Sequence, residues 1–286
     1  ELGDDHDGII ELSIDAPVGA SFVDYAKLDD PVVEIAITPN RQDCLGVYGI
    51  ARDLAAAGLG TLKPLDTRAV EGSYDSDVHV SIDLADGNAH ACSFFTGRKF
   101  TGVKNGPSPQ WLQDRLKAIG LRPISALVDI TNYITHDLGR PLHVYDAAKL
   151  SGNIVVREGV KGEKFLALDG KEYSCAGGET VVADDAAVLG FGGIIGGEDS
   201  GCTETTTDVV LEAALFDPIR TAVTGREQGI ITDARYRFER GVDSQFVEQG
   251  VEIASRMIVD LCGGKPSHTF AAGAVPEWGK TVSFRP

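Results

Sequence analysis

Between Asn153 and Leu215 the chain is a succession of short β-rich runs punctuated by turn residues: IVVRE, KFLAL, an Asp169-Gly170 turn, TVVAD, AVLGFGGI and DVVLEAAL. Runs of this length and spacing predict strands joined by tight turns. Helical patterns flank that stretch. One is predicted over 126–138, with Ser125 as N-cap and Gly139 as stop, and others over Pro218–Gln228 and Gln245–Leu261. PQWLQDRLKAI follows Ser108 and Pro109, an N-cap and first-turn pair, and closes at Gly120. Strands and helices in separate groups predict an α+β fold: a mixed, mostly antiparallel sheet with flanking helices.

Ahead of this region lies a small N-terminal α/β segment. DPVVEIAITPNR (30–41) reads as a strand running into a Pro-Asn turn, and Asp43 as the N-cap of a helix through CLGVYGIARDLAAAGLG that ends at Gly58 or Gly60. VHVSIDL (78–84) alternates as a strand should. The opening is acidic and Glu1 is not an initiator methionine, so the chain is expected to be a piece of a longer protein. The expected division is a small preceding domain over 1–65, a polar linker over 66–74, the main domain over 75–265 and an exit linker over 266–286.

Composition excludes several classes. The longest stretch without a charged or strongly polar side chain is Ala186–Gly197, well short of the roughly 20 residues that span a bilayer, and no signal peptide is visible. Five cysteines are scattered without C-x-x-C spacing, which gives neither a disulfide framework nor a thiolate zinc site and points to a reducing cytoplasm. A formal net charge of −17 excludes a surface that coats itself in nucleic acid. Any RNA contact must be local, and its best place is 220–240, where Arg220, Arg226, Arg235, Arg237 and Arg240 stand against Glu227, Asp233 and Glu239. The ordinary reading of that cluster is a solvated helix face with i,i+4 pairs.

Few residues declare chemistry by themselves. The glycine block Gly190–Gly197 fails the G-x-G-x-x-G frame at Ile195 and is followed by no G-K-[ST], so it is no dinucleotide or P-loop motif. It either lets backbone approach a ligand closely or forms a bulged strand and turn. His143 in RPLHVYD is an isolated histidine in an apolar strand, ordinarily a satisfied core residue, and no HExxH or clustered ligand set accompanies it, so no metal is expected. Asp129, Thr131 and Asn132 fall inside the 126–138 helix, where Thr and Asn are mediocre helix formers, which means a kink or side chains directed at something polar. Glu212 interrupts VVLEAAL, where burial without a partner costs about 1–3 kcal/mol or more; a salt bridge with an arginine is the ordinary solution. No G-x-S-x-G occurs.

Four blocks taken in order carry a resemblance: GLRPISALVDITNYITHDLGRPLHVYD (120–146), LGFGGIIGGEDSG (189–201), VVLEAALFDP (209–218) and TDARYRFERGVD (232–243). Over roughly 90–263 the chain resembles the B3/B4 editing module of the bacterial phenylalanyl-tRNA synthetase β subunit. The resemblance implies a domain that hydrolyses tyrosine mis-esterified to tRNA(Phe), within an enzyme that ligates phenylalanine to that tRNA. The alternative is a non-catalytic tRNA-binding or architectural module of the same synthetase. It implies His143, Asn132 and Thr131 as catalytic residues and Glu212, Gly193, Gly196, Ala234 and Arg122 as substrate-binding ones, with Glu212 reading the para-hydroxyl of tyrosine. The implied partners are the tRNA(Phe) 3′ end and the α subunit of an α2β2 assembly. No cofactor is expected in this piece, ATP and Mg belonging to the complete synthetase. Two positions depart from the family pattern: Gln42 stands where a proline is common and Arg235 where serine is frequent.

Overall fold

The computed structural model describes residues 8–26, 28–29, 31–277, 279 and 281–285; the acidic opening over 1–7 and Asp30 lie outside the described residues. The chain divides into two units, Glu1–Ala36 and Ile37–Pro286. In the first, a single helical turn, α1 (Phe22–Tyr25), follows Ser21, whose carbonyl accepts from Tyr25 N at 3.0 Å. The strand expected over 30–41 does not form. Residues 31–38 have no ladder partner, and Val32, Val33 and Ile35 are exposed. An apolar run without a neighbouring strand leaves its backbone groups to water.

In the second unit, α2 (Val47–Ala56) begins later than expected, with Gly46 at its N-cap position, because residues Gln42–Cys44 wind as a 3₁₀ turn. Asp43 does not cap α2; its carboxylate accepts from Arg41 at 3.0 Å and Arg52 at 2.6 Å. The start of α2 sits against the end of α4 (Ala126–Leu138). A Cβ on Gly46 would lie 2.4 Å from Gly139 N, an approach only glycine permits. Helix α4 has the predicted limits, and Gly139 ends it at φ 66° in the left-handed conformation that stops helices. Helix α3 (Gln110–Ala118) is capped by Pro109 rather than Ser108, whose hydroxyl is spent on Asp129. Asp129 is wholly buried and also accepts from Ile124 N at 2.8 Å, so it clasps the start of α4 to the preceding loop.

Strands β1 (Val80–Asp83), β4 (Ile154–Glu158), β7 (Thr180–Ala183), β8 (Val188–Phe191) and β9 (Ile195–Gly196) form one sheet in that order. Its β1·β4 pair is parallel and the rest antiparallel. A second, antiparallel sheet has the order β11 (Lys265–Pro266), β2 (Cys92–Thr101), β10 (Asp208–Phe216), β3 (His143–Asp146), with β12 (Phe270–Gly273) also on β2. The small pair β5 (Lys164–Leu166) and β6 (Glu172–Ser174) completes the strands. The mixed, mostly antiparallel α+β architecture agrees with the sequence reading. The segment read as an exit linker, in contrast, contributes β11's end and all of β12 to the sheet.

Strand β10 organises the core because its side chains alternate between two apolar layers. Val209, Leu211, Ala213 and Leu215 face α3, α4 and α7 (Val247–Cys262), packing with Leu112, Leu127, Ile130, Ile134, Val251 and Ile258. Val210, Ala214 and Phe216 face the other sheet, against Ile154, Val156, Val182 and Leu189. Each Val, Leu, Ile or Phe side chain among these taken fully out of water contributes about 1.5–3 kcal/mol. Glu212 belongs to this second row and interrupts it. Helices α5 (Pro218–Glu227) and α6 (Asp233–Phe238) follow β10, and Phe238 reaches into the same layer.

Candidate functional site

The interruption at Glu212 opens a cavity between the sheets. It opens to solvent at a mouth, and its lining includes His143, Tyr145, Gly193, Gly196, Glu212, Phe216, Ala234 and Phe238. Five residues singled out from the sequence, His143, Gly193, Gly196, Glu212 and Ala234, therefore meet in one place. Pairing of β3 with β10 makes this possible: His143 is the register partner of Glu212, and Tyr145 of Val210. Residues two apart on a strand share a face, so His143, Tyr145 and Glu212 all point between the sheets.

Glu212 is 7% exposed and forms no ion pair among the described residues. Its partner is the Tyr145 hydroxyl, which donates to Oε2 in a short hydrogen bond. Burial pushes the Glu212 carboxyl up to about 7, against the lowering effects of the Tyr145 bond and the Arg140 charge. Burial raises the Tyr145 phenol well above its ordinary value, so it keeps its proton and remains the donor. Arg140 is 1% exposed; its Nη2 donates to Ala214 O, its guanidinium lies 5.8 Å over the Phe238 ring, and burial brings it down to about 10. The arginine partner expected for Glu212 is thus present as a nearby charge, while a tyrosine makes the bond.

The His143 ring stands edge-on to Tyr145 at 4.4 Å, and its Nε2 is buried with no hydrogen-bond partner. Burial brings it down to about 4, so the imidazole is neutral near neutrality. Gly196 lies flat against it: a Cβ there would be 2.4 Å from His143 Cε1. The glycine block is the β8–β9 hairpin, whose turn is built on Gly193 at φ 71°. It is tied to α6 through Thr232, which caps that helix by accepting from Arg235 N and donates to Ile194 O at 2.6 Å. That tie sets Ala234, in the first turn of α6, at the cavity wall.

Thr131, Asn132 and Arg122 are not among the cavity's lining residues. Thr131 donates its hydroxyl proton to Val128 O at 2.8 Å within α4, Asn132 is part-buried one residue on, and Arg122 is exposed in the loop before α4. The arginine cluster is mostly paired internally: Arg235 and Arg237 make i,i+4 bridges to Glu239 and Asp233, Arg240 bonds Glu239, and Arg220 bonds Gly178 O and Glu158. Arg237 Nε also donates to Leu45 O at 3.1 Å, joining α6 to the segment before α2. Among the described residues one acidic grouping has metal-ligand proximity, Asp43, Cys44 and Asp53, and the Arg41 guanidinium already sits in it, 2.6 Å from Asp53 Oδ2. The five cysteines are unbridged.

Sequence reasoning missed Tyr145, Phe216, Phe238 and Arg140. The signal for Tyr145 was available, since it lies two residues beyond His143 on one strand face.

This chain belongs to the B3/4 domain family, whose model matches residues 91–263. It is also similar, along its whole length, to parts of larger proteins. It is 57% identical over 286 residues to the phenylalanine–tRNA ligase beta subunit of Paramagnetospirillum magneticum, covering 100% of this chain and 36% of that protein. The corresponding subunit of Mesorhizobium japonicum is 58% identical over 284 residues, covering 99% and 35%. The chain therefore spans about a third of the length of these relatives. Among solved structures it is similar to an N-terminal fragment of the phenylalanyl-tRNA synthetase beta subunit from Pyrococcus horikoshii, with 18% identity, 68% of this chain and 60% of that chain covered, and a TM-score of 0.38. Among the described residues no helix is long and apolar enough to cross a membrane.

Proposed function

We propose that the cavity hydrolyses tyrosine wrongly esterified to tRNA(Phe), as the post-transfer editing site of a phenylalanine–tRNA ligase that acts in the cytoplasm with an α subunit. The observation that carries this reading is Glu212, a carboxyl group placed by strand alternation among the mostly apolar side chains that line the cavity. A hydroxyl arriving at the ring's far end would find an acceptor there. Phenylalanine would leave that acceptor short of a donor, which is how a polar site rejects the analogue lacking a hydroxyl. The ester end would lie toward His143, whose neutral ring can orient water or the terminal ribose by hydrogen bonding. Gly193 and Gly196 supply backbone close to the substrate, and Ala234 supplies room. Thr131 and Asn132 would contact the adenosine end and the hydrolytic water from outside the amino-acid cavity, with Arg122 near the same opening.

With no nucleophile in this set, the rate enhancement is assigned to orientation of water and exclusion of bulk solvent. The test is deacylation of tyrosyl- and phenylalanyl-tRNA(Phe) by the complete ligase and its Glu212→Ala variant. The expected result is a preference for the tyrosyl ester that falls by roughly 10- to 100-fold, the value of one hydrogen bond to a charged group. Equal relative hydrolysis of the two esters by both proteins would overturn the reading.

A further inference from the structure

We infer that Tyr145 is a specificity-determining positioning residue: its phenol occupies Oε2 of Glu212 as a fixed donor and so holds the carboxylate as an acceptor for a second hydroxyl, that of the substrate. The inference rests on the proposed reading of the cavity and assigns a role to a side chain that acts only through Glu212.

Three observations converge on it. Tyr145 is 2% exposed, and its hydroxyl bonds Glu212, so the contact is shielded from competing water. Its ring packs edge-on to His143, which leaves the hydroxyl pointing along the strand pair toward Glu212. Its proton is retained, because burial and the neighbouring carboxylate both oppose ionisation. A carboxylate accepts at two oxygens, so engagement of Oε2 leaves Oε1 for another donor.

The groups that act on Glu212 define what happens without Tyr145. From β3 and the turn before it come Tyr145, neutral His143 and the positive charge of Arg140; from β2 comes Cys92, whose thiol burial and Glu212 together push up and keep protonated. Tyr145 is the donor of the set that is bonded to the carboxylate. Removing it leaves Arg140's charge as the remaining influence that favours ionisation. The carboxyl would then be protonated at neutral pH, become a donor itself, and lose its preference for an incoming O–H.

Tyr145→Phe removes one oxygen and keeps the ring. In the complete ligase, the ratio of kcat/KM for tyrosyl- over phenylalanyl-tRNA(Phe) is measured from about pH 5 to about pH 9. The wild-type ratio should rise as Glu212 ionises. In Tyr145→Phe the midpoint of that rise should move up by about one pH unit or more, and the ratio at neutral pH should fall about tenfold, as expected for a lost hydrogen bond to a charged group. A purely structural tyrosine would lower hydrolysis of both esters and leave the midpoint in place.

Infrared difference spectra supply a readout that needs no substrate. Referenced to Glu212→Gln, the protonated-carboxyl band at neutral pH should grow in Tyr145→Phe, and thermal unfolding of both variants checks that they are folded. A wild-type enzyme with no tyrosyl preference would remove the reading of the cavity. A wild-type preference whose midpoint is unmoved by Tyr145→Phe, with an unchanged carboxyl band, would remove the role of Tyr145 alone.

Discussion

His143 and Glu212 stand directly opposite each other across the β3·β10 pair, with Tyr145 in contact with both. Burial displaces the two titrating groups in opposite directions, the imidazole down to about 4 and the carboxyl up to about 7, so at neutral pH the histidine is uncharged. Separation of this kind gives two neighbouring groups different proton-handling roles.

The first prediction concerns stability and acid. An unfolded His143 takes up a proton near pH 6.5, whereas the folded one does so near pH 4. Between these values the unfolded chain holds more protons, so this contribution is complete above about pH 6.5 and is lost as pH falls through about 4. Glu212 acts in the opposite sense, binding its proton more tightly when folded, and costs stability as pH rises from about 4.5 to about 7. The two must be separated by substitution. The unfolding free energy of the wild type minus that of His143→Gln should shrink by about 3 kcal/mol between neutral pH and pH 4 in urea titrations. A difference independent of pH would mean that the folded protein protonates His143 freely.

Gly196→Ala tests the placement of that ring. The added methyl would meet His143 Cε1 at 2.4 Å, and the ring is backed by Tyr145, so either the imidazole or the hairpin must move. Overpacking of this kind costs roughly 1–3 kcal/mol, and a displacement of about 1 Å at a reacting centre costs about 10²-fold in rate. Thermal unfolding and single-turnover deacylation measure the two effects. Full activity in a folded variant would show that His143 does not position the reaction.

Ala234→Trp tests the cavity's volume. Ala234 is part of the wall on α6, and an indole there would fill space that the proposed aromatic substrate would occupy. Deacylation should fall by about 10²-fold or more while the circular dichroism spectrum stays native. Retained activity would place the amino-acid site elsewhere.

A buried ion pair lies on the helix-facing side of the β2·β10 ladder, away from the side that carries Glu212. Arg98 on β2, 3% exposed, bonds Glu252 on α7 through two contacts of 3.1 Å, and Glu252 also accepts from Val70 N at 2.6 Å. Glu252→Ala strands the guanidinium and frees the chain near Val70, and should cost about 3–5 kcal/mol. Denaturant unfolding measures it, and a loss under about 1 kcal/mol would show that water reaches Arg98.

The limits of α4 were legible because Ser125 and Gly139 bracket an uninterrupted helical pattern, and Gly139 has the left-handed geometry that such a stop requires. Strand β2 is not legible in the sequence: CSFFTGRKFT carries a glycine, an arginine and a lysine, and it lies between β10 and the β11 and β12 pairings, so simple alternation is hidden. Ser108 looked like a cap but bonds Asp129, a partner 21 residues away that local pattern cannot reveal. Within the site, the resemblance points to His143 and Glu212 separately and is silent on Tyr145. The bond that unites them depends on the register of two strands nearly seventy residues apart, which no local pattern in the sequence encodes.

The pairing of β11 and β12 with β2 has a practical consequence for dissecting the molecule. The family match ends at residue 263, before either strand. A polypeptide cut at that boundary would lose the ladder from Phe94 to Gly97, the pairing at Phe100 and Thr101, and the Ser267 bonds to Lys99. Strand β2 would then become an open edge of ten mostly buried residues, a template for intermolecular pairing and aggregation. Insolubility of so short a piece would report a missing neighbour strand rather than an unstable cavity.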